Sequence, residues 1–287
     1  MARKIKDEFL NELVTGRLKE LLKYVQLDDT LNLELRGDRI TVYYRGGALL
    51  TVKQDTYKFE SLDKKYHTGI SFIIPTINNI DDYIPKAKHI IDIYINTERN
   101  HLGEKDIQQQ IARENNYSPN SLATDYFIID TEYQDLGRFD IVALLWESKG
   151  SIRKLPNSFL PTITIFEVKQ GYGSISGSSG MESHIKDFEK FLTTKDVSSF
   201  KSDMISVFSQ KRKLGLIKGA EKYKEITKVS SNIEFVFLLA NYKHDSSKLR
   251  NALDNIEDCK LIYANPMGYG LYSRNIICKD KFVEIFL

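Results

Sequence analysis

The order of apolar runs between residues 104 and 240 limits this chain most. A helical run, EKDIQQQIAREN, comes first. Three strand-length runs follow: DYFIIDTEYQ, RFDIVALLWE and TITIFEVK. After them come a Gly/Ser-rich loop, GYGSISGSSG, and a second helical run, MESHIKDFEKFL. A basic helical region lies over about 196–230, and then a strongly apolar strand, IEFVFLLANY. Consecutive strands pair as neighbours, and a crossover helix returns the chain to a further strand of the same sheet. The order therefore predicts an α/β architecture with a mixed central sheet flanked by helices.

Upstream the pattern differs. Residues 3–25 carry Ile5, Phe9, Leu13, Leu22 and Val25 at helical spacing. The runs LNLEL, RITVYY, ALLTVK and YKFESL then alternate, broken at the turn-like RGD and RGG. This predicts a small α+β N-terminal domain over 1–84, with an antiparallel meander as a structural or recognition module. The larger domain spans 85–287, its helical period resuming at Pro85.

With 287 residues and 41% hydrophobic content the chain can bury a sizeable core. Its net charge of +2 neither demands nor forbids a nucleic-acid partner. Cys259 and Cys278 stand in no CxxC pattern, which points to a reduced, cytoplasmic setting rather than a disulfide framework. No apolar run approaches the roughly 18 residues of a membrane span, and MARKIKDEFLNELV lacks the apolar centre of a signal peptide. A soluble protein without a membrane partner is expected. His67, His89, His101 and His244 show no ligand spacing such as HxxxH, so zinc is not expected.

Charge in the apolar strands is the feature that carries chemistry. Side chains alternate along a strand, so Glu167 and Lys169 point one way with Ile163 and Ile165, and Phe166 and Val168 the other. Asp140 is expected to share a face with Val142, Leu144 and Trp146. Paired as a hairpin, the two strands bring Asp140 and Glu167 together at one end of the sheet. Adjacent buried carboxylates repel and lose hydration, and a divalent cation such as Mg²⁺ removes the conflict. The Val168 carbonyl could add a third oxygen, and Lys169 could orient a metal-bound water or stabilise phosphate charge. The alternative is a salt-bridged sheet end.

This constellation resembles the PD-(D/E)xK nuclease superfamily, in its RecB-like and archaeal mismatch-endonuclease branches. GEKDIQQQIA, FIIDTEYQ, GRFDIVAL and FEVKQG stand in the family's order, over about residues 100–195. Phe139 stands where many branches have proline. The resemblance implies a restriction-endonuclease-like core and a Mg²⁺ cofactor replaceable by Mn²⁺. It implies Asp140 and Glu167 as metal carboxylates, Lys169 as catalytic lysine and Glu104 as a helix glutamate of the metal shell. Glu114 is a second candidate on the Glu104 face. Gln170 matches a polar position of some branches.

The expected activity is phosphodiester hydrolysis in nucleic acid, DNA before RNA and endonuclease before exonuclease, with a homodimer suited to cutting two strands. The competing reading is a catalytically inactive nuclease fold acting as a nucleic-acid-binding or protein-interaction module. Glu132 and Arg138 could serve the site or pair with each other. Ser183 and His184, at the helix start after the Gly/Ser loop, could meet phosphate. The basic run Lys201, Lys211, Arg212, Lys213, Lys218, Lys222, Lys224 and Lys228 could track a phosphate backbone or form a solvated face.

Overall fold

The computed structural model describes residues 2–66, 73–97, 103–134, 138–156, 158–171, 175, 180–194, 196–242, 246–265 and 267–287. His67, His101, His244, Gly137 and most of the Gly/Ser loop lie outside the described residues.

Two helices, α1 (Asp7–Val14) and α2 (Lys19–Leu27), open the chain. The expected single helix over 3–25 is thus broken. At Gly16 a Cβ would stand 2.3 Å from a Glu12 carboxylate oxygen, and that carboxylate accepts the Arg17 backbone N–H at 2.8 Å. Among the described residues, β1 (Leu31–Leu35), β2 (Arg39–Tyr44), β3 (Gly47–Lys53) and β4 (Phe59–Glu60) form an antiparallel meander in chain order. The helix α3 (Ile80–Thr97) contains Pro85 rather than starting at it.

The second sheet follows α4 (Glu104–Asn116). It comprises β5 (Tyr126–Gln134), β6 (Arg138–Leu145), β7 (Thr162–Gln170), β8 (Ile233–Ala240), β9 (Lys260–Ala264) and β10 (Ile277–Cys278). Their spatial order is β10-β9-β8-β7-β6-β5. Pairing is antiparallel from β5 to β7, parallel from β7 through β8 to β9, and antiparallel again at β10. A short α5 (Gly150–Arg153) links β6 to β7, and α6 (Met181–Thr194) with α7 (Val197–Lys213) makes the crossover to β8. The helix α8 (Ser247–Asp254) joins β8 to β9, and α9 (Lys279–Phe286) follows β10. The chain is thus mixed α/β, with one mixed sheet and one meander.

Apolar residues cover both faces of the mixed sheet. Ile107 and Ile111 of α4 pack on Ile141, Phe166 and Val168. On the opposite face, Val142, Leu144, Ile163 and Ile165 meet Phe191 of α6, Met204 and Phe208 of α7, and also Leu10, Leu33 and Val42 from the N-terminal region. Residues on either side of position 84 therefore share one apolar core.

Charged side chains also cross that contact. Asp130 of β5 is fully buried between Arg36, which donates to it, and Arg3, whose Nε lies 3.0 Å from Oδ2. Lys211 of α7 donates to Glu34 of β1 at 2.8 Å, both buried. At the β2–β3 turn Gly46 has φ +74°, and a Cβ there would fall 2.5–2.9 Å from Lys105 and the Asp106 backbone. The turn thus seats directly on the start of α4. No helix among the described residues is long and apolar enough to cross a membrane.

Candidate active site

β7 is the strand at which the sheet changes from antiparallel to parallel. Open sheets collect ligands at such switch points, beyond the carboxyl ends of the parallel strands. The β6–β7 ladder runs to Ile141↔Phe166 and stops. Just beyond it, the Val168 N–H donates to Asp140 Oδ2 at 2.8 Å. The carboxylate takes the acceptor role that a backbone carbonyl holds within the ladder. Asp140 Oδ1 accepts from Gln108 Nε2 of α4 at 2.9 Å, and Glu104 Oε1, at the start of α4, accepts the Gln170 N–H at 3.2 Å. The helix is thereby fastened to the end of β7.

Glu167 and Lys169 extend the row of Ile163 and Ile165, beside Phe237 and Leu239 of β8. Each is only 3% exposed. Lys169 Nζ donates to Glu167 Oε1 at 3.0 Å, and His184 Nε2 of α6 lies 3.0 Å from the same oxygen. Glu167 Oε2 is buried with no hydrogen-bond partner. Unmade hydrogen bonds of buried charged groups are costly.

The electrostatics follow from this crowding. Burial pushes the Asp140 carboxyl up to about 7, with the Glu104 and Glu132 charges adding to the rise and the Val168 N–H and Lys169 opposing it. Burial likewise pushes Glu167 up to about 8, reinforced by Asp140 and Glu104 and opposed by Lys169. Strongly perturbed groups close to a switch-point strand mark a functional-site candidate.

The structure brings together Asp140, Glu167, Lys169, Glu104, Gln170 and His184. Val168 serves through its N–H; within an extended strand its carbonyl is directed to the same edge. Strict alternation fails at Asp140: Phe139 joins the same core cluster as Val142, three positions on, so Asp140 turns toward α4 rather than sharing the Val142 face. Asp140 and Glu167 therefore approach from different directions, and among the described residues no three His, Cys, Asp or Glu side chains form a ready metal cage.

The other candidates have separate partners. Glu132, at φ +55°, pairs with Lys105 and Arg138, each at 2.9 Å. Burial alone would raise its carboxyl, but those two cations hold it below the usual range. The Ser183 hydroxyl donates to the Gly180 carbonyl at 2.9 Å, within its own helix start. Glu114 lies ten residues along α4 from Glu104, about 15 Å at the helical rise. The basic run is no continuous outward stripe: Lys211 is buried on Glu34, and Arg212 donates to the Tyr223 carbonyl at 2.6 Å.

Gln108 and Lys105 escaped the sequence reading. For Gln108 the signal was the polar QQQ segment inside an amphipathic helix, where Gln108 and Gln109 prove buried. Asp130 within the apolar run YFIID was a similar signal. Comparison of the chain with family models, curated proteins and solved structures gave no match.

The residues present fit a divalent cation on one ground. Glu167 offers a buried, unpartnered carboxylate oxygen beside a second raised carboxylate.

The raised values also fix a pH dependence. Both carboxyls bind their proton more tightly in the folded chain than at their ordinary values of 3.8 and 4.5. Their protonation favours the folded state, so stability falls as pH rises through that interval toward 7 and 8. In chelator, Tm is expected to decrease from about pH 6 to about pH 8.5, with a shallower decrease in Glu167→Gln. Mg²⁺ should raise Tm most at the alkaline end, because ligands must be deprotonated. A chelated Tm that rises over this range would contradict the assignment.

Proposed function

We propose that the protein is a metal-dependent nuclease that hydrolyses phosphodiester bonds in nucleic acid, with DNA the favoured substrate. The observation that carries this reading is the Glu167 carboxylate. It is buried beside Asp140 at the switch-point strand, one oxygen unpartnered, with the Lys169 ammonium 3.0 Å from the other. The element order α4-β5-β6-β7-α6-β8 supports a restriction-endonuclease-like core of the PD-(D/E)xK type.

In this reading Asp140 and Glu167, with Glu104 nearby, hold Mg²⁺ or Mn²⁺. The ion supplies charge neutralisation and an acidified water when bound. Gln108 and the Val168 N–H orient Asp140. Lys169 presents a fixed positive charge toward the reacting phosphate, and His184 limits the movement of Glu167. Burial keeps bulk water from screening these charges.

Asp140→Asn and Glu167→Gln test the assignment. Each should lower Mg²⁺-dependent cleavage by more than the roughly 10–100-fold typical of an outer-shell change. Each should also remove the Mg²⁺-induced rise in Tm, since a ligand stabilises only the state that binds it. Cleavage and metal response unchanged in both variants would reject the site.

A second reading has its own observation. Glu167 Oε1 is engaged by both Lys169 and His184, as a salt-bridged sheet end requires. A non-catalytic module would bind nucleic acid with strong salt dependence, without turnover and without a metal response.

A further inference from the structure

A cavity of about 210 Å³ lies between the β1–β2 end of the meander, α4 and β5. Among the described residues four cationic side chains line it, Arg3, Arg36, Arg39 and Lys105, against the acid Glu132; Arg39 is itself paired with Asp38 at 2.8 Å. Glu132, and Asp130 behind Arg3 and Arg36, are each shared. Asp130 is held by both Arg3 and Arg36, and Glu132 by both Lys105 and Arg138. One carboxylate cannot neutralise two cations, so each set leaves a positive charge uncompensated. Confinement by protein walls reduces screening and strengthens the attraction for an anion.

The cationic groups are also held in place. Arg36 is 5% exposed, and its Nη2 donates to the Thr131 carbonyl at 2.8 Å. Arg3 Nη2 donates to the Glu132 carbonyl at 2.9 Å. Pre-positioned guanidinium forks suit phosphate geometry. The cavity is below the ~300–1,000 Å³ of pockets that enclose a drug-sized ligand, and several times the ~30 Å³ of one water. One phosphate group with little else is the matching size. Gln108 lines the same cavity and donates to Asp140, so a single side chain separates it from the candidate active site.

We infer that this cavity binds a phosphate monoester, the terminal phosphate of a nucleic-acid strand whose chain leads toward Asp140. The strand as occupant rests on the nuclease reading; the phosphate chemistry does not. A free nucleotide would present the same group, and the test separates the two sources.

The test uses the full chain in chelator, so that binding is read without cleavage. The probes are inorganic phosphate, a nucleoside monophosphate, and matched oligonucleotides with and without a terminal phosphate. The phosphorylated oligonucleotide should bind about 10–100-fold more tightly than its hydroxyl twin, as expected for charge-assisted hydrogen bonds. The rim variant Arg39→Gln/Lys105→Gln leaves Arg3 and Arg36 on Asp130 in place; it should lower that ratio by about 10-fold with Tm unchanged. A nucleoside monophosphate that binds as tightly as the phosphorylated strand identifies a free nucleotide as the source of the group. Equal affinity of the two oligonucleotides for the wild type, with no Tm response to inorganic phosphate, overturns the inference. So does a ratio that is unchanged in the rim variant. Loss of the nuclease reading would appear separately, as phosphate preference without Lys169-dependent cleavage.

Discussion

Lys169→Met is expected to lower Mg²⁺-dependent cleavage by about 100- to 10,000-fold, the range in which positioned proton-transfer and charge-stabilising groups act. Methionine keeps most of the length of the buried side chain and deletes its charge and its hydrogen bond to Glu167. The loss has two sources. The ammonium no longer faces the reacting phosphate. In addition, Lys169 draws the Asp140 and Glu167 carboxyls down, so without it both hold their protons to higher pH and resist metal. The pH–rate profile should therefore move to the alkaline side as well as fall. The fold should survive, because Glu167, already raised to about 8, can remain protonated once its partner is gone. Cleavage at the wild-type rate with an unmoved profile would remove Lys169 from the mechanism.

Asp130→Ala is expected to destabilise the fold by about 3–5 kcal/mol, the cost of breaking a buried ion pair from one side. In a domain of this size that corresponds to a fall in Tm of about 5–15 °C. Burial opposes the Arg36 charge, but Asp130, together with Tyr43 and Glu34, more than offsets it and leaves the guanidinium raised above its ordinary value. Remove Asp130 and Arg36 stays charged without its ion-pair partner, while Arg3 loses the same carboxylate. Asp130→Asn should lose less, since the amide oxygen can still accept one of these hydrogen bonds. Calorimetry or urea unfolding reads the difference. A loss below about 1 kcal/mol would show that solvent reaches this network.

The mixed sheet was legible because strand-length apolar runs and an intervening helix leave few topologies. The face of Glu167 and Lys169 was legible because period-two alternation holds along β7. Alternation failed at Asp140, where the ladder ends and a side chain replaces a backbone acceptor. No local pattern announces that. The helix over 3–25 was misread because a break at one glycine hardly alters apolar spacing. The basic run misled for a related reason: a lysine's charge predicts exposure, and Lys211 is internal only because Glu34, 177 positions earlier, awaits it. The Arg36–Asp130 pair likewise joins residues 94 positions apart, a contact that the fold alone creates.

The buried contact between Glu34 and Lys211 also limits how this sequence can drift. Either residue changed alone strands a charge in the interior, whereas an apolar pair of similar volume is tolerated. In descendants of this chain the two positions should be exchanged jointly or not at all, and rim cations such as Arg39 should vary one at a time.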